Sequence, residues 1–190
     1  MALRKIVTEE DPILHKQSRE IGEITERIRV LAEDMWETMY DANGIGLAAP
    51  QVGVLRRIAV IDVALPAEED DEESEESDFV GGPVPEQESI KCVLINPEVI
   101  EVSKDTVLSK EGCLSVPGMV GEVERPVWVK VRALDLEGSR FEIEGEGLLA
   151  KALLHEIDHL NGIVYTDIAR SMEPLTSPSE AEEDGQSQSE

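Results

Sequence analysis

Apolar residues recur at helical spacing in two stretches of the chain. In the first, Ile28, Leu31, Met35 and Met39 repeat, with Glu26, Arg27, Glu33 and Glu37 between them. Thr25, just ahead, suits an N-cap, and Asp41-Ala42-Asn43-Gly44 should stop the helix. The second stretch, residues 148–160, reads LLAKALLHEIDHL, with Leu149, Ala152, Leu153 and Leu160 at helical intervals and Asn161-Gly162 closing it. Between the two the period changes. Residues 57–65, RIAVIDVAL, read as a strand, and strand character returns at 91–95 and 98–102. Residues 127–134 alternate, Val127, Val129 and Val131 against Trp128, Lys130 and Arg132. After a turn at 136–139, Phe141 and Ile143 alternate with Glu142 and Glu144, forming a hairpin that runs into the second helix. A short apolar start, LRKIV at residues 3–7, ends at Asp11-Pro12. The pattern predicts an α+β fold: small antiparallel β-sheets packed around the central helix at 148–160, with an N-terminal helix.

Two stretches carry no apolar period. Residues 66–89 hold eleven acids and no Lys or Arg, and residues 171–190 hold six acids and none. The first reads as a flexible acidic insertion and the second as a disordered tail; a partner-binding acidic loop is the alternative for the first. What remains, residues 1–170, suits a single domain large enough to bury a core. The two segments also account for most of the net charge of −25 and leave the body near −8. Such a surface argues against nucleic-acid binding, which needs a basic face. Two cysteines make no disulfide framework and favour a reducing, cytoplasmic setting. No apolar run approaches a membrane span, and the start MALRKIVTEEDP lacks the core of a signal peptide.

GIGLAAPQ, Gly44 to Gln51, has two glycines and a proline and reads as a loop. Its apolar residues fit either a backbone approached closely by another chain or a buried connection of small residues. Within the second helix, HEIDH places His155 and His159 one above the other on a face, where both can bind one metal ion. Glu156 then lies within reach of a metal-bound water. Two surface histidines on an ordinary helix are the plain alternative. An open tetrahedral site needs a third protein ligand. His15 is remote, and Asp167 and Glu173 stand near the fraying end. Cys113, in the glycine-flanked EGCLSVPG, is the better choice, whereas Cys92 inside a strand suits a small buried hydrophobe.

GIGLAAPQ, EGCLS and HEIDH, in this order, resemble the three signature motifs of peptide deformylases, and the similarity runs from about Leu3 to Asp167. The resemblance implies a metal-dependent hydrolase that removes the formyl group from the initiator methionine of nascent polypeptides. It implies Cys113, His155 and His159 as ligands of one ion, Fe²⁺ in the cell with Zn²⁺ or Ni²⁺ as substitutes. It implies Glu156 as general base and acid, and Gln51 with the Leu114 backbone N–H as oxyanion donors. Gly46 and Gly112 would border the substrate peptide, and Ile45, Leu148 and Ala152 would line the methionine pocket. The implied partner is the nascent formylated chain, with transient ribosome contact; the acidic tail does not match the basic extension that makes this contact in some members. Leu154 stands where many relatives carry Gln. A general metalloprotease and a non-catalytic metal- or peptide-binding protein are the competing classes. The first is disfavoured by Cys113 and by the lack of a later ligand motif.

Overall fold

The computed structural model describes residues 2–64 and 88–175. The expected acidic insertion, apart from Glu88 and Ser89, and the tail beyond Leu175 lie outside the described residues. In chain order the elements are α1 (Glu26–Asp41), β1 (Gly46–Ala48), a 3₁₀ turn (Ala49–Val52), β2 (Ile58–Ala64) and β3 (Ser89–Val102). They continue with β4 (Thr106–Cys113), β5 (Val116–Pro126), β6 (Trp128–Leu134), β7 (Arg140–Glu146), α2 (Gly147–Asn161), the single turn α3 (Tyr165–Ile168) and β8 (Ser171–Pro174). The strands form two antiparallel sheets, one in the order β1-β2-β3-β6-β7 and one in the order β4-β5-β8. The α+β class and the small sheets are as expected.

The larger sheet is covered on both faces. Ile58, Val60 and Ile95 pack with Leu31, Met35 and Met39 of α1. Ile61, Val63, Leu94, Val129 and Val131 pack with Leu149, Leu153 and Ile157 of α2. Successive β2 side chains thus enter different cores, which is why RIAVIDVAL reads as one apolar run instead of an alternating one. Thr25 holds the N-cap position of α1 with extended backbone, but its hydroxyl makes no capping bond. Helix α2 ends on Gly162 at φ 80°, a left-handed cap that side chains resist. A Cβ there would also sit 2.9 Å from the His15 carbonyl carbon.

Several expectations need correction. GIGLAAPQ is not a loop: β1 pairs with β2, Gly46 opposite Ile61, and the 3₁₀ turn follows. Strands 91–95 and 98–102 are one strand, β3, interrupted by register shifts around Asn96-Pro97. Asn96 takes φ 50° there, and its side chain bonds both the N–H and the carbonyl of Ile21. Val127 lies before β6 and is 41% exposed, so the buried face starts at Val129. The hairpin β4–β5 was not foreseen. Its small sheet is covered on one side only, Lys, Glu and Gly interrupt it, and it gives no clean alternation. The irregular tail does not begin at residue 171, because Ser171–Pro174 adds to β5 as a third strand.

Candidate active site

Helix α2 carries His155 and His159 on one face, their ring centroids 4.9 Å apart. The β4–β5 turn brings Cys113, the last residue of β4, against them: Cys113 Sγ lies 3.2 Å from His159 Nε2. One ligand atom from each of Cys113, His155 and His159 falls within 4.8 Å of the other two. With Zn–S near 2.3 Å and Zn–N near 2.0–2.1 Å, ligand atoms of a tetrahedral ion stand roughly 3.3–3.6 Å apart, so the trio fits one ion. His15 instead faces Asp167 at 3.6 Å, Asp167 caps α3 through the Val164 N–H, and Glu173 pairs with Lys110. Cys92 lies in β3 among the core residues facing α2, its thiol pushed up to about 11 by burial.

Charge supports the same reading. Burial disfavours a proton on His155, but the Cys113 sulfur and the Glu111 carboxylate outweigh it and raise its pKa to about 10. This environment favours positive charge at the ring, where a metal cation could stand as well. His159 moves the other way: burial, then its charged neighbour His155, hold it well below the ordinary value, in the neutral form a metal needs. His159 Nδ1 is buried without a partner among the described residues.

A chain of buried groups sets the His155 ring. Glu111 Oε2 stands 2.9 Å from His155 Nδ1, which leaves Nε2 for a ligand. Arg125 donates to both oxygens of Glu111, at 2.7 and 3.0 Å, and to Asp158 Oδ2 at 2.6 Å. Burial pushes Glu111 up, yet bonds from His155 and Arg125 prevail and hold it at about 2. The network joins β4 and β5 to α2, and so the cysteine to the histidines. Sequence reasoning missed it. Glu111 and Asp158 sit inside EGCLS and HEIDH, where an unexplained acid was the available signal; nothing local marks Arg125.

Glu156 is 3% exposed, with Oε2 unpartnered among the described residues and burial pushing its pKa up to about 7. Gly46 of β1 lies against it: a Cβ there would fall 2.9 Å from Glu156 Cδ and closer still to Oε1. Gln51 Oε1 accepts from the Ala48 N–H at 2.8 Å, which turns its amide nitrogen toward Cys113 Sγ (3.4 Å) and Ser115 Oγ (3.3 Å). The N-terminal segment fastens this corner, Val7 N–H to the Gln51 carbonyl and Glu9 N–H to the Ser115 carbonyl, both 2.9 Å. Ile45, Gly46, Gln51, Gly112, Cys113, Leu114, Leu148, Ala152, His155 and Glu156 all line one cleft of about 680 Å³. His159 lies beneath it, fully buried. The network is the part of this site that sequence reasoning did not reach.

The sequence profile of polypeptide deformylases matches residues 3–174. The chain belongs to the polypeptide deformylase family. A peptide deformylase of Alkaliphilus metalliredigens is 50% identical over 167 residues, which are 88% of this chain and 97% of that one. A peptide deformylase of Lachnoclostridium phytofermentans is 46% identical over 97% of this chain and its own full length. Among solved structures, peptide deformylase from Thermotoga maritima superposes with a TM-score of 0.74 at 33% identity, covering 90% of this chain and all of the other. The family is one of hydrolases, and the cleft of this deformylase-family chain gathers a buried carboxylate and a group of side chains that could hold a metal ion. Among the described residues no helix is long and apolar enough to cross a membrane.

Proposed function

We propose that this protein removes the N-formyl group from the initiator methionine of nascent polypeptides, releasing formate. One observation carries the reading: Cys113, His155, His159, Glu156 and the Gln51 amide converge on one cleft. Sheet edges border it, since among the described residues β1 ends the larger sheet and β4 ends the smaller. Cys113, His155 and His159 would hold one ion, Fe²⁺ in the cell with Zn²⁺ or Ni²⁺ as substitutes. When bound, such an ion supplies a cation that lowers the pKa of water from 15.7 toward about 7 and polarises the amide oxygen.

The chain's own groups do the rest. The formyl-methionyl peptide lies as an added strand along Gly46 and Gly112, a recognition mode that uses backbone bonds. Ile45, Leu148 and Ala152 line the pocket for the methionine side chain. Water attacks the formyl carbon, and Glu156 takes its proton and passes it to the leaving amine. A carboxyl titrating near neutral pH suits both halves of that transfer. Oxygen charge developing on the formyl group is met by the Gln51 amide N–H and the Leu114 backbone N–H; loss of one such donor costs about 3 kcal/mol.

The test is formate release from a formyl-methionyl peptide by Fe²⁺-loaded protein, with the same peptide bearing a free amine beside it. Formate is expected from the first and no cleavage of the second. Internal peptide cleavage would make the protein a metalloprotease, and neither reaction would make it a binding protein.

A further inference from the structure

We infer that Lys151, at the mouth of the cleft, is a subsite for a carboxylate side chain on the substrate, just downstream of the formylated methionine. The inference rests on the proposed function, since it concerns which formyl peptides the same cleft prefers.

Lys151 stands four residues before His155 on α2, so the two share a helix face and both line the cleft. Its ammonium crosses to β4 and donates to the Lys110 carbonyl at 3.0 Å. That bond uses one of three N–H donors. Among the described residues no carboxylate oxygen lies within 4.0 Å of it. The neighbouring acids are engaged. Glu173 of β8 pairs with Lys110, Glu111 is bound by Arg125 and His155, and Glu156 lies buried against Gly46. Lys110 is therefore neutralised by its partner, and Lys151 is a cleft-lining cation without an acid partner among the described residues.

A formylated peptide has no N-terminal ammonium. The first charge it presents is a side chain of a following residue. Four residues of helix rise about 6 Å, and an extended peptide advances about 3.3 Å per residue. A peptide that leaves the formyl site toward the N-terminal end of α2 brings its second or third residue level with Lys151. The chain's net charge of −25 opposes an acidic peptide, but salt screens distant charges beyond about 8 Å at physiological ionic strength. A contact with Lys151 acts well inside that length and decides the sign.

The experiment compares kcat/KM for formate release from formyl-Met peptides with Glu, Gln or Lys at the second and third positions. The full chain is used, loaded with Fe²⁺, at low and high salt. Glu peptides should exceed Lys peptides by about two- to fivefold at low salt, the scale of an exposed ion pair, and the ratio should shrink at high salt. Lys151→Gln should remove the preference, Lys151→Glu should invert it and Lys151→Arg should keep it. A preference that survives Lys151→Gln, or none in the native chain, would overturn the subsite while leaving deformylation intact. No formate from any peptide would overturn the proposed function itself.

Discussion

Glu156 and Glu111 are both buried acids near the histidines, yet they face opposite demands. Glu156 has no cation of its own and titrates near 7, whereas Glu111 is clamped by Arg125 and stays ionised. Glu156→Gln keeps the shape but cannot accept a proton. We expect metal content unchanged, kcat down by about 10²–10⁴-fold and KM nearly constant, measured on one preparation. Cys113→Ala should lose stoichiometric metal while Cys92→Ala keeps it; full occupancy in Cys113→Ala would show that another group is the ligand. For Glu111 the folded pKa of about 2 lies below the ordinary 4.5. Its contribution is therefore complete above pH 4.5 and is lost as pH falls toward 2, an effect on the order of 3 kcal/mol. Urea unfolding across that range should show the loss, and Glu111→Gln should flatten it. Arg125→Met, which strands the buried Glu111 and the half-buried Asp158, should destabilise by about 3–5 kcal/mol.

The elements differ in how far local sequence could announce them. Helices α1 and α2 and strands β6 and β7 each bury a defined face, so periodicity exposes them, and β2, buried on both faces, shows as an unbroken apolar run. Strand β1 has three residues, and β4 and β5 form a thin sheet whose one buried side chain on β4 is Glu111. No apolar rhythm survives there, although this hairpin delivers Cys113. Strands β2 and β3 are paired up to Ala64 and Ser89, so the chain between them can be shortened to a tight turn. Replacing residues 66–87 by Asn-Gly should leave folding and short-peptide turnover intact. By loop-closure entropy it should add about 2 kcal/mol. Removal of residues 176–190 should likewise be silent, whereas removal from Ser171 strips β8 and should lower the melting temperature. Thermal melts of the three variants check this.

At the scale of the whole molecule, the proposed ligands come from elements far apart in sequence: Cys113 from the small sheet, His155 and His159 from the helix behind the large one. The sequence by itself determined the helical face that aligns the two histidines, because a fixed period of 3.6 residues needs no tertiary context. It also determined the candidate chemistry, through residue types in three short motifs, and the acidic character of the insertion and tail. Only the tertiary structure decided that Gln51 turns its amide nitrogen toward Cys113, since the Ala48 N–H holds the other end. It alone decided that Arg125 ties Glu111 and Asp158 together across the small sheet and helix α2, and that Lys151 faces the cleft with no carboxylate partner among the described residues. Each of these depends on burial and on partners many residues away, and hydrogen bonds between distant side chains leave no periodic trace along a chain.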